Sequence, residues 1–235
     1  MFPIRDNIPS RTTPYVTFTI IGVNAVIFLF EVSLGKHLGA FVARFGMVPA
    51  FVANGYPTPL SAWRGVFTSM FLHADWMHVI GNMWMLWIFG DNVEDRVGHG
   101  RFAGFYLLWG LAANMLHLAT NWGSQVPTIG ASGAIAGVMG AYMLFYPRAR
   151  VTTLIFIFYF IHFVEIPAMF FLGFWFFIQL LSGVGGLLAG AGRVGGVAWW
   201  AHIGGFAAGA GVAKLMKSAA YRGYPSPSDY RGIWR

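Results

Sequence analysis

The chain has 235 residues, 57% of them hydrophobic and only 10% charged, with a mean hydropathy of +0.62. An ordinary soluble domain is roughly 25% charged, so a water-soluble fold of this size is excluded: too few charges exist to cover its surface. There is no cysteine, which excludes disulfides, thiolate metal sites and a thiol nucleophile. The formal charge of +7 does not point to nucleic acid, because the basic residues sit between apolar blocks rather than on one face.

Residues 1–14 form a polar, proline-broken leader carrying Arg5 and Arg11, with no pattern of a cleaved signal peptide. A spanning helix needs ~20 mainly apolar residues to cross ~30 Å of hydrocarbon, and six stretches reach or approach that length. They run from about Val16 to Leu34, Trp76 to Gly90, Phe102 to Ala119, Ser132 to Tyr146, Pro167 to Gly183 and Trp199 to Met216. The first two are joined by a long loop, about Gly35 to Asp75, whose Phe41, Phe45, Phe51 and Trp63 make it too apolar for a free linker. It is expected to lie against the membrane or the bundle. The fourth stretch is too short to span, so it should begin inside the membrane depth, where irregular backbone is tolerated only if buried or lining a wet cavity. Val151 to Ile166, rich in β-branched and aromatic residues, reads as an interfacial or partly extended connection. Pro167 is placed to open the helix that follows.

The chain is thus expected to be an all-α polytopic membrane protein, a six-helix bundle over residues 15–216, with a flexible tail over 217–235 that carries Pro225 and Pro227. With the amino terminus inside, only Lys36, Arg44, Arg64 and Arg193 of the 15 Lys and Arg fall outside. That bias places both termini in the cytoplasm. The short ends, lacking an Arg-rich presequence, favour a prokaryotic plasma membrane.

Polar side chains within membrane segments are costly, so each is a functional candidate. They gather on the second, fourth and sixth stretches. Gly130-Ala131-Ser132-Gly133 puts a serine where unwound chain enters a helix, and a serine there can attack while a nearby amide stabilises an oxyanion; the alternative is a plain N-cap. Ser132 needs a base, and His202, inside an apolar helix, can serve; its alternative is a hydrogen bond to a neighbouring helix. Gly133 and Gly137 on one helix, and Gly205 and Gly209 on the other, form small-residue faces that let backbones approach closely. His78 and Asn82, four apart, share one face and can donate to an oxyanion. Zinc is the rival reading for His73 and His78 beside Asp75, although the HExxH carboxylate is missing. Asn24, Glu31, Asn114, His117, Glu165 and Gln179 read as helix-to-helix hydrogen-bonding groups. Glu94 and Arg96 read as an anchor between helices within a cluster with Asp91, Asp95 and Arg101. No carboxylate stands out as a third member beside Ser132 and His202.

From about Trp63 to Gly209 the chain resembles the rhomboid family of intramembrane serine proteases. Trp63-Arg64 is similar to the Trp-Arg of the family's first loop, His73, His78 and Asn82 to its HxxxxHxxxN, and Glu94, Arg96 and Gly98 to its ExRxG; Gly130 to Gly133 is similar to its GxSG, and Ala201-His202 with Gly205 and Gly209 to its AHxxGxxxG. The resemblance implies a rhomboid-like bundle of six helices. It implies Ser132 as nucleophile, His202 as general base and then acid, and His78, Asn82 and the Ser132 amide around the oxyanion. Ala136 stands where some members carry an aromatic that stacks on the histidine. Substrates would be single-span membrane proteins entering from the lipid bilayer between the second and fifth helices, past Phe170, Phe171, Phe174, Trp175 and Phe177. No cofactor, metal, nucleotide or nucleic acid is implied. Two other readings compete: a transporter, which predicts an inverted repeat that the sequence lacks, and a catalytically inactive rhomboid-like protein that binds membrane clients, which predicts loss of the serine or histidine.

Overall fold

The computed structural model of the chain describes residues 2–188 and 197–218. Residues 219 onward, with Pro225 and Pro227, and Arg193 lie outside the described residues. Each apolar stretch is a helix: α1 (Tyr15–Ser33), α5 (Trp76–Val97), α6 (His99–Thr120), α7 (Ser132–Phe145), α8 (Ala168–Leu188) and α9 (Trp199–Ser218). Among the described residues, α1, α6 and α8 are long and apolar enough to cross a membrane. α7 has 14 residues, a rise of roughly 21 Å, short of the hydrocarbon thickness. It is the central helix, buried throughout from Gly133 to Tyr142 and packed by α5, α6, α8 and α9.

The first loop is three short helices, α2 (Leu38–Phe45), α3 (Pro49–Asn54) and α4 (Pro59–Thr68). Thr58 caps α4 by accepting from Ser61 N, with Pro59 in the first turn. Met47, Val52, Ala62 and Val66 form a small core with Leu118 of α6, so the apolar loop packs on the bundle, as its composition led us to expect. Arg64 donates to Arg44 O at 3.0 Å and lies 4.7 Å over the Phe45 ring.

α1 begins without a side-chain cap of its own. Glu94, fully buried on α5, takes that part: it accepts from Val16 N at 2.9 Å, Thr17 N at 2.7 Å and Thr17 Oγ1 at 2.7 Å. A carboxylate among the orphan N–H groups of a helix start satisfies them and complements the dipole. The expected anchor between helices exists, and its target is the start of α1.

The expectation of an all-α fold is corrected by a three-stranded antiparallel sheet, β1 (Phe2–Asp6), β2 (Arg150–Ile157) and β3 (Phe160–Pro167), in the order β1-β2-β3. The β-branched and aromatic run after α7 favours extended chain, and backbone groups near lipid must pair. They do so in a hairpin turned at Phe158 and Tyr159, with the leader's first residues as a third strand. Pro167 ends β3 rather than opening α8. β1 runs along α5: Trp84 Nε1 donates to Pro3 O at 2.7 Å near one end, and Asn92 Nδ2 to Asp6 Oδ2 at 3.1 Å near the other.

Candidate active site

The serine is held by what precedes it. Met47 and Thr128 exchange backbone hydrogen bonds, and Gly130 N donates to Ser69 O at 2.9 Å. Asn114 of α6 fixes that second anchor from below, donating to Val66 O at 2.6 Å and Ser69 Oγ at 3.1 Å. Gly130 has φ +132, and a Cβ there would lie 2.8 Å from His78 Nε2, so glycine alone permits both this backbone turn and the approach of the imidazole. α7 then starts at Ser132 with Ala131 as its N-cap and no side-chain capping bond. The plain N-cap reading of Ser132 is therefore set aside: its hydroxyl is spent on His202 Nε2, at 2.8 Å.

That contact depends on how closely α7 and α9 pack. A Cβ on Gly205 would sit 1.9 Å from Gly133 O, and one on Gly209 1.8 Å from Gly137 O, so nothing larger than hydrogen fits at either place. Gly133 and Gly137 turn their own Cα hydrogens to α6, where a Cβ would meet Ala113 Cβ at 2.6 Å and Trp109 Cβ at 2.4 Å. The small face of α7 thus accommodates α6, while its carbonyls accommodate α9. With α9 this close, the short serine reaches the ring of His202. The ring's other nitrogen, Nδ1, lies 2.7 Å from Gln179 Oε1 on α8. Ala136 offers no ring, but Trp175 of α8 supplies an aromatic neighbour, 5.7 Å away and tilted by 34°.

Ser132, His202, His78 and Asn82 line one cavity of about 1050 Å³. Phe171 and Trp175 of α8 also face it, whereas Phe170, Phe174 and Phe177 are exposed on the outer side of that helix. Pro3 of β1 lines the same cavity. Asp75 caps α5 by accepting from His78 N at 2.8 Å, and His78 Nδ1 accepts a long, 3.4 Å hydrogen bond from Ala74 N. An accepting Nδ1 leaves the proton on Nε2, the nitrogen beside Gly130. Asn82 is buried, and its Nδ2 has no partner among the described residues. His73 lies just before α5, its ring 5.1 Å from that of His78. Burial, and then His78, lower its pKa to about 4, so it is a neutral, buried ring. Its backbone N–H donates to Glu31 Oε2 at 3.0 Å. Among the described residues no three His, Asp or Glu converge as a metal-ligand set.

Two groups in the site were not singled out by spacing. Gln179 is a helix-to-helix hydrogen bonder, as its place in an apolar helix suggests, but its partner is His202 of the candidate site. His117 also lines the cavity and pairs with Thr128 Oγ1 at 2.9 Å. The only available signal for Gln179 was its being the one amide in the apolar run of α8, four residues after Trp175.

Against known proteins, residues 59–219 match the family model described as Rhomboid domain. Rhomboid-like protein 11, chloroplastic, of Arabidopsis thaliana is 30% identical over 122 residues, 52% of this chain and 42% of that protein. Rhomboid protein 1, mitochondrial, of Saccharomyces cerevisiae is 29% identical over 98 residues, 39% of this chain and 28% of that protein. Rhomboid protease GluP of Bacillus subtilis is 30% identical over 132 residues, 55% of this chain and 24% of that protein. The chain therefore spans less than half the length of each of these relatives, which come from a bacterium and from eukaryotic organelles alike. The family model covers well over half of the sequence, and the matched span includes Ser132 and His202: this chain belongs to the rhomboid family of membrane proteins.

Proposed function

We propose that the chain is an intramembrane serine endopeptidase that cleaves membrane proteins within or beside their transmembrane segments. The observation that carries this reading is the 2.8 Å contact between Ser132 Oγ and His202 Nε2, made by residues of two different helices in a cavity that His78 and Asn82 also line. Six crossings fit the six long apolar stretches, with both termini cytoplasmic by the distribution of Lys and Arg. In that orientation Ser132 and His202 lie towards the outer face.

The chemistry follows from the placement. A transmembrane helix satisfies its own backbone, so its carbonyls are shielded until it unwinds. A segment entering beside α8, past Phe171 and Trp175, meets a cavity that offers partners to the unwound chain. Ser132 Oγ attacks the scissile carbonyl as its proton passes to His202 Nε2. The tetrahedral oxyanion is met by the His78 Nε2–H, Asn82 Nδ2 and the Ser132 backbone N–H, which as the first residue of α7 has no intrahelical partner. The imidazolium returns its proton to the leaving amine. Water, deprotonated by the same ring, then hydrolyses the acyl-enzyme.

The test is cleavage of a panel of single-span proteins in liposomes by the purified protein, beside Ser132→Ala and His202→Ala, with fluorophosphonate labelling as a second readout. Both variants should lose cleavage, and Ser132→Ala should lose the label. Cleavage that survives either change overturns the reading. A client that binds without being cut by the unmodified protein would instead favour the inactive, client-binding alternative.

A further inference from the structure

Resting on the reading above, the geometry points to Gln179 as a positioning residue for the reaction: its carbonyl holds His202 in the one tautomer that can take the proton of Ser132. An imidazole has two nitrogens, and it acts as a base towards serine only if the nitrogen facing the hydroxyl is unprotonated. Here Nε2 faces Ser132 Oγ at 2.8 Å, so the proton must sit on Nδ1. Nδ1 faces Gln179 Oε1 at 2.7 Å, and an amide carbonyl is an acceptor only. Both partners are buried, with Gln179 4% and His202 9% exposed, so water is a poor substitute for the acceptor.

The arrangement supplies what an aspartate supplies in a three-membered site, orientation and tautomer, without a charge. An amide takes no proton, so the balance of the step is unchanged: the serine proton moves to Nε2, while Nδ1–H stays hydrogen-bonded to Oε1. A neutral acceptor also suits the location, because a carboxylate in an apolar helix would carry a large desolvation cost. Trp175, one turn earlier on α8, lies beside the same ring. α8 thus holds the histidine at two points, and it does so from a helix whose other contacts are mainly with α9, α7 and the sheet.

The experiment compares Gln179→Met, which keeps length and removes the acceptor, with Gln179→Glu, which keeps an acceptor. Steady-state cleavage of one substrate is measured in liposomes, with Ser132→Ala and His202→Ala alongside. Gln179→Met should lower kcat about 10- to 100-fold, the scale of a modest misplacement of a catalytic group, and leave KM within a factor of two or so. Gln179→Glu should recover most of that loss. Wild-type kcat in Gln179→Met, or equal loss in both variants, overturns the inference while leaving the protease reading intact. Activity in Ser132→Ala or His202→Ala overturns the reading beneath it. Should Gln179→Met fail to fold, histidine ¹⁵N NMR of the unmodified protein, with His202→Ala to assign the signal, decides the matter: a resting His202 protonated on Nδ1 supports the inference, and one protonated on Nε2 overturns it.

Discussion

Among the described residues Asn82 has no partner for its buried donor, Nδ2, and a protein tolerates such an atom only at a cost. An unsatisfied buried amide forfeits its hydration, about 1–3 kcal/mol, so a side chain chosen for stability alone would not be asparagine. His78 shows the same bias: its backbone caps onto Asp75 and its Nδ1 accepts from Ala74, which turns Nε2–H towards the cavity. Both side chains line the cavity that holds Ser132, and under the proposed mechanism a donor that waits unpaired needs no rearrangement when charge develops there. Removing it should separate activity from stability. Asn82→Ala is expected to lower kcat by roughly 10²-fold, with a melting temperature in detergent that is unchanged or higher, because the orphaned amide is gone. Turnover assays and thermal unfolding of the same preparation check this; a drop in both would make Asn82 a structural group.

Helix crossings in lipid gain little from hydrophobicity, and close van der Waals packing takes its place. α7 and α9 pack so closely that Gly205 and Gly209 face carbonyl oxygens of the opposing backbone. Gly209→Ala would put a methyl group 1.8 Å from Gly137 O, so the helices must separate; overpacking of this kind costs about 1–3 kcal/mol. Because Ser132 and His202 sit at the same crossing, that separation should also slow fluorophosphonate labelling. Gly211→Ala, where the added methyl meets nothing within 4 Å among the described residues, is the control expected to keep wild-type stability and labelling. The same crossing explains what was legible in the sequence. Apolar length located every long helix, and a serine, a histidine and paired glycines in apolar surroundings were visible because each breaks a composition rule. Gln179 and Asn114 break the same rule, yet their partners lie on other helices at distances along the chain that no periodicity encodes. The strands were less legible still. β2 and β3 fall where the chain reads as an interfacial or partly extended connection, whereas Phe2 to Asp6, with a proline and two charges, carries no strand pattern, and it becomes a strand only because β2 offers an edge beside α5.

That strand ties the start of the chain to α5, to Tyr142 of α7 and to β2. Ser10 Oγ donates to Asp91 Oδ2 at 3.0 Å, Thr12 Oγ1 to Asp95 Oδ1 at 2.7 Å, and Arg150 N to Asn7 Oδ1 at 2.7 Å. With the Glu94 contacts to α1, residues 2–17 are strapped along α5, and Pro3 at their inner end borders the cavity that holds Ser132. Asp6 is the titratable link in this strap. It accepts from Asn92 Nδ2 and from the Tyr142 hydroxyl of the central helix. Burial pushes its carboxyl up from 3.8 to about 7, the Tyr142 hydrogen bond opposing the rise and nearby Asp91 adding to it. A carboxyl whose folded pKa lies above its unfolded value binds its proton more tightly when folded, so folding is favoured most below about pH 4 and loses that favour as the pH climbs through about 7. The docking of β1 is therefore expected to weaken between those two values and to be flat above them. Hydrogen exchange at the Ile4 and Arg5 amides, followed across that range in detergent, should show faster opening with rising pH after correction for intrinsic exchange. Asp6→Asn keeps an oxygen acceptor for Tyr142 and cannot ionise, so it should abolish the pH slope. An unchanged slope in Asp6→Asn would remove Asp6 as its source, and since Pro3 lines the cavity, the cleavage rate measured across the same range would show whether the strap reaches the chemistry.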